Sequence, residues 1–171
     1  PSTVGLIILA EPILNLLFPN QPEGKFLLQI SAISITFMML SQNVNSVLHG
    51  LGKTIIPAIS LAIGSAIKLF LNTVLVKINP ETFILGGTAG AAFSTVVYHI
   101  ITFFMEYYIM KRNIKIDFGL KTIIKPIIAT ILMAICLIFT YNCLLSIISY
   151  KLCIILALIV AVVTYLLLIL I

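Results

Sequence analysis

The chain has 171 residues, 61% of them hydrophobic and 9% charged, with a net charge of +5 and a mean hydropathy of +1.25. A water-soluble domain carries about 25% charged residues, so this composition excludes a cytosolic enzyme, a nucleic-acid-binding domain and a secreted disulfide scaffold. The expected fold is all-α, a polytopic transmembrane bundle, with room for about six spans at about 20 residues each.

Six helices are predicted in chain order. The first covers 1–18 and is interrupted by Glu11-Pro12. The second covers 26–49, inside a run of 27 uncharged residues over 26–52. The third covers 54–77 and is equally apolar apart from Lys68. The fourth covers 83–110; its uncharged run, 82–105, has 24 residues. The fifth, 121–141, and the sixth, 152–171, draw on uncharged runs of 25 residues (126–150) and 20 residues (152–171). Each run passes the threshold of about 18 residues for a membrane helix.

The connections carry helix-breaking chemistry. Pro19-Asn20-Gln21-Pro22-Glu23-Gly24 separates the first two helices, since proline rejects helix continuation and glycine permits a turn. His49-Gly50-Leu51-Gly52-Lys53 ends the second helix, and Pro57 falls near the start of the third, where a missing N–H costs little. Asn79-Pro80-Glu81 precedes the fourth helix, and the basic link Lys111-Arg112-Asn113-Ile114-Lys115-Ile116-Asp117 follows it.

Basic residues accumulate on the cytoplasmic side of membrane proteins. Lys53, Lys111, Arg112, Lys115, Lys121 and Lys125 fall on one side, against Lys25, Lys77 and Lys151 on the other. The second-to-third and fourth-to-fifth connections are therefore expected in the cytoplasm. With no Trp, the interfacial belt falls to Tyr107 and Tyr108 on the inner side and Tyr141 and Tyr150 on the outer. Nine of the ten basic residues are Lys and Ile is abundant, a usage typical of AT-rich coding that points to a low-GC bacterium; the expected location is the bacterial cytoplasmic membrane. The chain opens on Pro1 without a signal-peptide pattern and ends on an apolar run, so it is expected to be the C-terminal part of a longer protein.

Close helix contacts in a membrane use small residues. Gly86 and Gly90 form a GxxxG pair, and Ala58, Ala62 and Ala66 recur on the third helix; both sets are read as packing. Polar groups also recur at helical spacing. On the second helix these are Ser31, Ser34, Ser41, Asn45 and His49, with Gln42 and Asn43 alongside; on the third, Ser60, Gly64, Lys68 and Asn72; on the fourth, Thr95, His99, Thr102 and Glu106. Unpaired polar groups in hydrocarbon cost several kcal/mol, so these faces should turn towards protein or a wet cavity. The fifth and sixth helices lack such a stripe and should face lipid.

The candidate cavity residues are Lys68, Asn72, Asn45, Gln42, His99 and Glu106. Lys68 is expected near the midplane, where a charge costs about 2.5–3.5 kcal/mol and is a functional candidate by default; pairing with an acid or snorkelling to an interface are the alternatives. Glu106, beside Tyr107, also fits an interfacial position, and His99 also fits a hydrogen-bonded core histidine. Cys136, Cys143 and Cys153 have no metal-binding or redox spacing. HExxH, GxSxG and GxxxxGK[ST] motifs are absent from the sequence, so no catalytic residue, metal or cofactor is expected.

The order of several short motifs resembles a known family. Leu9-Ala10-Glu11-Pro12-Ile13-Leu14-Asn15-Leu16-Leu17-Phe18-Pro19 resembles the end of the third helix of a transporter lobe. Val47-Leu48-His49-Gly50-Leu51-Gly52-Lys53-Thr54 with Pro57 resembles the junction after its fourth. Lys68 with Asn72 resembles the pattern of its fifth, and Gly90-Ala91-Ala92-Phe93-Ser94-Thr95 the start of its sixth. Over about 1–125 the chain is thus similar to the C-terminal half of the polysaccharide biosynthesis and export proteins. It looks closest to their stage V sporulation protein B branch, which is related to the lipid II flippases and more distantly to the MATE multidrug exporters.

The resemblance implies that 1–110 holds the last four helices of a six-helix lobe, and 111–171 a cytoplasmic link and two appended helices. It implies an alternating-access flippase, not an enzyme, for a lipid-linked oligosaccharide or peptidoglycan precursor. Its partners would be that anionic lipid-linked substrate, bilayer lipids and the absent N-terminal lobe of the same protein, with no nucleic acid. Lys68 would attract the headgroup's phosphate, and the last two helices would hold the lipid tail. A MATE-type drug or cation antiporter would keep acids rather than a lysine in its cavity, and a non-transporting membrane subunit would have no cavity at all.

Overall fold

A computed structural model describes residues 1–18, 24–79, 83, 85–114, 120–145 and 149–170, with side chains for all of these except 120–123. The expected breakers Pro19 to Glu23 and Pro80-Glu81, the basic stretch from Lys115 to Asp117 and the Lys121 side chain lie outside the described residues.

Seven helices are found among the described residues: α1 (Ser2–Ile8), α2 (Ala10–Leu17), α3 (Gly24–Gly50), α4 (Ile55–Leu75), α5 (Gly87–Asn113), α6 (Leu120–Leu145) and α7 (Tyr150–Leu170). The last five are each long and apolar enough to cross a membrane, and the chain is a multi-pass membrane protein. The first predicted span is corrected by this result: 1–18 forms two short helices rather than one.

The break sits at Leu9 (φ −90°, ψ 10°) rather than at Glu11-Pro12. Its cause is nonetheless Pro12, the third residue of α2. A proline ring clashes with the carbonyl four residues earlier, here that of Ile8, so regular α1 has to stop there.

The helices pack into two compact units, Pro1–Lys25 with Asp117–Ile171, and Phe26–Ile116. In the first, Leu9, Met133, Leu137, Ala157 and Ala161 are buried together, with Val4, Ile8, Ile13, Tyr141 and Tyr165 packed around them. The α7 seam uses small residues, as membrane interfaces do. The Tyr150 hydroxyl donates to the Pro12 carbonyl at 3.2 Å, and Lys25 pairs with Glu11 at 2.6 Å on an exposed surface.

In the second unit α4 runs antiparallel to α5, and α3 runs parallel to α5. Glycine sets the α4–α5 approach: a Cβ at Gly64 would meet Thr102 Cγ2 at 2.7 Å and Tyr98 Cδ2 at 2.9 Å, and one at Gly90 would meet Leu75 Cβ at 2.6 Å. The small-residue reading needs correcting here. Ala58, Ala62 and Ala66 are all exposed, and the seam instead buries Pro57, Ser60 and Gly64. Those positions turn about 100° per residue, so a seam at 60 and 64 leaves 58, 62 and 66 on another face.

The α3 terminus explains the Gly50-Leu51-Gly52-Lys53 junction. Gly52 adopts φ +72°, its N–H reaches the His49 carbonyl at 3.0 Å, and the Lys53 N–H reaches the Leu48 carbonyl at 2.9 Å. This double bond pattern closes a helix C-terminus and requires a left-handed residue, which glycine adopts at no steric cost. The Lys53 ammonium then donates to Asn113 Oδ1 at the end of α5, so the 51–54 turn and the end of α5 share one end of this unit.

Candidate functional site: a charged and polar seam among α3, α4 and α5

The polar stripes of α4 and α5 face each other. Ser60 and Gly64 are buried, Lys68 and Asn72 are half-buried, and opposite them lie Tyr98, His99 and Thr102. Much of the hydroxyl content is satisfied locally. Thr102 Oγ1 donates to the Tyr98 and His99 carbonyls at 3.0 and 3.1 Å, Thr95 Oγ1 to Ala91 at 3.0 Å, and Ser34 Oγ to Ser31 at 2.7 Å. Such back-bonding is a common refuge for hydroxyls inside helices. Ser60 Oγ and Asn72 Oδ1 are different: both are buried atoms without a hydrogen-bond partner among the described residues.

Lys68 stands thirteen residues from the start of α4 and seven from its end, about 4.5 Å past the helix midpoint at 1.5 Å per residue. Its ammonium lies 5.7 Å from the centroid of the Tyr98 ring, a cation–π arrangement that offsets part of the cost of desolvating the charge. His99, on the same stretch of α5, lies within the electrostatic reach of Lys68 and edge-on to the Tyr98 ring. No carboxylate pairs with Lys68 among the described residues.

Glu106 and Asn45 come together elsewhere. Glu106 is fully buried. With the Asn45 amide turned so that Nδ2 faces the carboxylate, it donates to both oxygens at 3.0 Å. The Ser41 hydroxyl, also buried, neighbours the same carboxylate but falls short of complete hydrogen-bond geometry. Around them Phe37 packs on Phe103, and Val44, Leu48 and Met110 form a small core. Glu106 is therefore enclosed between α3 and α5 rather than exposed at an interface.

The six expected site residues thus separate. Lys68, Asn72 and His99 belong to the α4–α5 seam, Asn45 and Glu106 to the α3–α5 contact, and Gln42 is exposed and joins neither. Asn43, Ser46 and His49 are exposed with it on the outer side of α3. Sequence reasoning did not put Tyr98 or Ser41 in the site. Tyr98 precedes His99 in the stripe and lies one turn from Thr102, and Ser41 lies one turn before Asn45; both spacings were legible, but the aromatic platform and the lone hydroxyl are properties of the packing.

What this seam can do follows from its charges. An ammonium in an apolar helix, with no carboxylate partner among the described residues and with an unpartnered amide oxygen one turn along, offers attraction to an anion and an acceptor for its hydroxyl groups.

Comparison with known proteins gives two similarities. The chain is 31% identical over 141 residues to the uncharacterized membrane protein YabM of Bacillus subtilis (strain 168), covering 82% of this chain and 25% of that protein. It is 28% identical over 118 residues to the lipid II flippase MurJ of the same organism, covering 66% of this chain and 20% of that protein. No family model matches, and no solved structure matches. The chain spans a quarter or less of these curated relatives, and what the helices and the two similarities establish together is a multi-pass membrane protein related in sequence to YabM and to a lipid flippase.

Proposed function

We propose that this chain is part of a flippase that moves an anionic lipid-linked precursor, an oligosaccharide or a peptidoglycan unit, across the cytoplasmic membrane by alternating access. The observation that carries this reading is Lys68: a half-buried ammonium in a membrane helix, resting on Tyr98 and paired with no carboxylate among the described residues. A charge in that position is costly, and an anionic substrate accounts for its presence. The sequence similarity to a lipid II flippase supports the same class.

The lipid tail can stay in hydrocarbon while the phosphate-bearing headgroup needs a hydrated, cationic path. Lys68 and Asn72 would serve that headgroup, with the exposed polar side of α3, which carries Gln42, as a further part of the path. An N-terminal lobe would complete the cavity, with the 51–54 turn and the 111–119 link on the cytoplasmic side. On this reading 1–110 belongs to the transport lobe, 111–171 is the link and appended helices, and the protein is a transporter rather than an enzyme.

The test uses the complete protein, with Lys68→Ala and Lys68→Arg assayed for translocation of a fluorescent lipid-linked oligosaccharide in proteoliposomes at matched incorporation. Lys68→Ala should lose most of the transport and Lys68→Arg should keep much of it. Full transport by Lys68→Ala would reduce Lys68 to a structural lysine. One observation favours a second reading, a non-transporting membrane subunit: the closed Asn45–Glu106 contact uses two cavity candidates to join helices. Absence of translocation by the intact wild-type protein, with every candidate lipid, would favour it.

A further inference from the structure

The Asn45–Glu106 contact holds a carboxyl group that pairs with no cation among the described residues. Glu106 is fully buried on α5; of the described cations of its unit, Lys53 is engaged with Asn113, Lys68 lies over Tyr98, and Lys77, Lys111 and Arg112 are exposed. From α3 it faces the Asn45 amide and the Ser41 hydroxyl. Along α5 it interacts electrostatically with the Tyr98 phenol, and His99, which senses Lys68, lies two turns away. Close by on the same helices, Val44, Leu48 and Met110 form an apolar cluster with Ile56, Phe103 and Tyr107 packed on it. An isolated ionised carboxylate in such a place is expensive, and the ordinary solution is to take up a proton.

The partners suit both protonation states. One terminus of the Asn45 amide lies 3.0 Å from each carboxyl oxygen of Glu106. With Nδ2 in that place the amide donates to the ionised group; with Oδ1 there it accepts from the protonated one. Ser41 Oγ, buried and without a hydrogen bond of its own, can likewise accept from the acid or donate to the carboxylate after rotating. The amide reverses its polarity by a half-turn that exchanges its oxygen and nitrogen, and the hydroxyl by rotating its O–H.

The geometry points to Glu106, with Asn45 and Ser41, as a reversible proton-binding site that controls the α3–α5 contact. Protonated, Glu106 donates its O–H to Asn45 Oδ1 or Ser41 Oγ, and the contact stays closed. On release the proton passes to water, the O–H electron pair remains on the carboxylate, and α3 separates enough to admit water to the charge. The site is independent of what the protein moves. Few contacts oppose the separation, since α3 meets α5 through long side chains such as Phe37 and Phe103 rather than through a close small-residue seam.

The complete protein in lipid nanodiscs tests this without a transport assay. Infrared difference spectra from about pH 5 to about pH 9 should show a protonated-carboxyl band that titrates, and that is missing in Glu106→Gln. Asn45→Leu and Ser41→Ala, which leave the carboxyl in place, should move the midpoint of that band, Asn45→Leu by about tenfold in proton concentration. Spin labels at the exposed positions of Val47 on α3 and Tyr108 on α5 should report a distance that changes with pH in the wild type and stays at the closed value in Glu106→Gln. If Glu106→Gln does not fold, the Asn45→Leu and Ser41→Ala shifts still assign the band. A band insensitive to both, a distance that ignores pH, or one that responds to sodium at constant pH would each overturn the proposal.

Discussion

Replacing Gly64 by alanine is the sharpest probe of the α4–α5 seam. The added Cβ would lie 2.7 Å from Thr102 Cγ2 and 2.9 Å from Tyr98 Cδ2, where carbon pairs are comfortable at about 3.5–4.0 Å. Thr102 cannot easily turn its methyl away. Its χ1 is stiff, and its hydroxyl is committed to the Tyr98 and His99 carbonyls at 3.0 and 3.1 Å. Either the helices part or the Tyr98 ring rotates, and crowding of this kind costs about 1–3 kcal/mol. Thr102→Ser removes the obstructing methyl and keeps the hydroxyl. The cost of Gly64→Ala should therefore fall in the Thr102→Ser background, with a coupling of about 1 kcal/mol. Equilibrium unfolding of the complete protein in mixed detergent–SDS micelles measures all four corners of this cycle. A neutral Gly64→Ala, or a loss undiminished in the Thr102→Ser background, would refute the close approach of these helices.

Three further outcomes follow from other contacts. Asn45→Leu should lower stability by about 1–2 kcal/mol in the same unfolding assay, because it strips the buried Glu106 carboxyl of its amide partner; an unchanged midpoint would mean that the pair is not formed. Pro12→Ala restores an N–H and removes the clash with the Ile8 carbonyl, so α1 and α2 should fuse; spin-label mobility scanned over 5–16 should show unbroken helical periodicity, and a break persisting at Leu9 would acquit the proline. The Lys25–Glu11 pair has both side chains about half exposed, at 47% and 59%, so a double-mutant cycle should give a coupling below about 1 kcal/mol. A larger value would require a more sheltered pair than the structure contains.

The fold was legible because long uncharged runs and glycine–proline breakers are local signals. The helix over 26–49 is found as Gly24–Gly50, and that over 152–171 as Tyr150–Leu170. The exception, 1–18, shows the limit of composition: its apolar content is that of a span, but a single proline ring divides it at Leu9. The stripes on the α4 and α5 helices were legible for the same reason, since residues three and four apart share a face. Which stripe meets which neighbour was not. Three alanines on α4 had the spacing of a seam and turned out exposed, because a seam is chosen by the partner helix. Likewise, Glu106 carried an interfacial signature from adjacent Tyr107, yet Asn45 from α3, distant in the sequence, encloses it. The site depends on those long-range pairings, and spacing within one helix cannot report them.

The hydroxyls that fold back onto their own carbonyls have one more consequence. Ser65, Thr95, Thr130 and Thr164, none of them fully buried, each spend their proton within the same helix. To the surrounding acyl chains such a residue presents little more than an alanine or a valine does, so exchange among these types is a nearly silent change. Mutational drift at those positions should therefore be frequent and harmless, whereas a change at Asn45, Lys68 or Glu106 meets resistance at once.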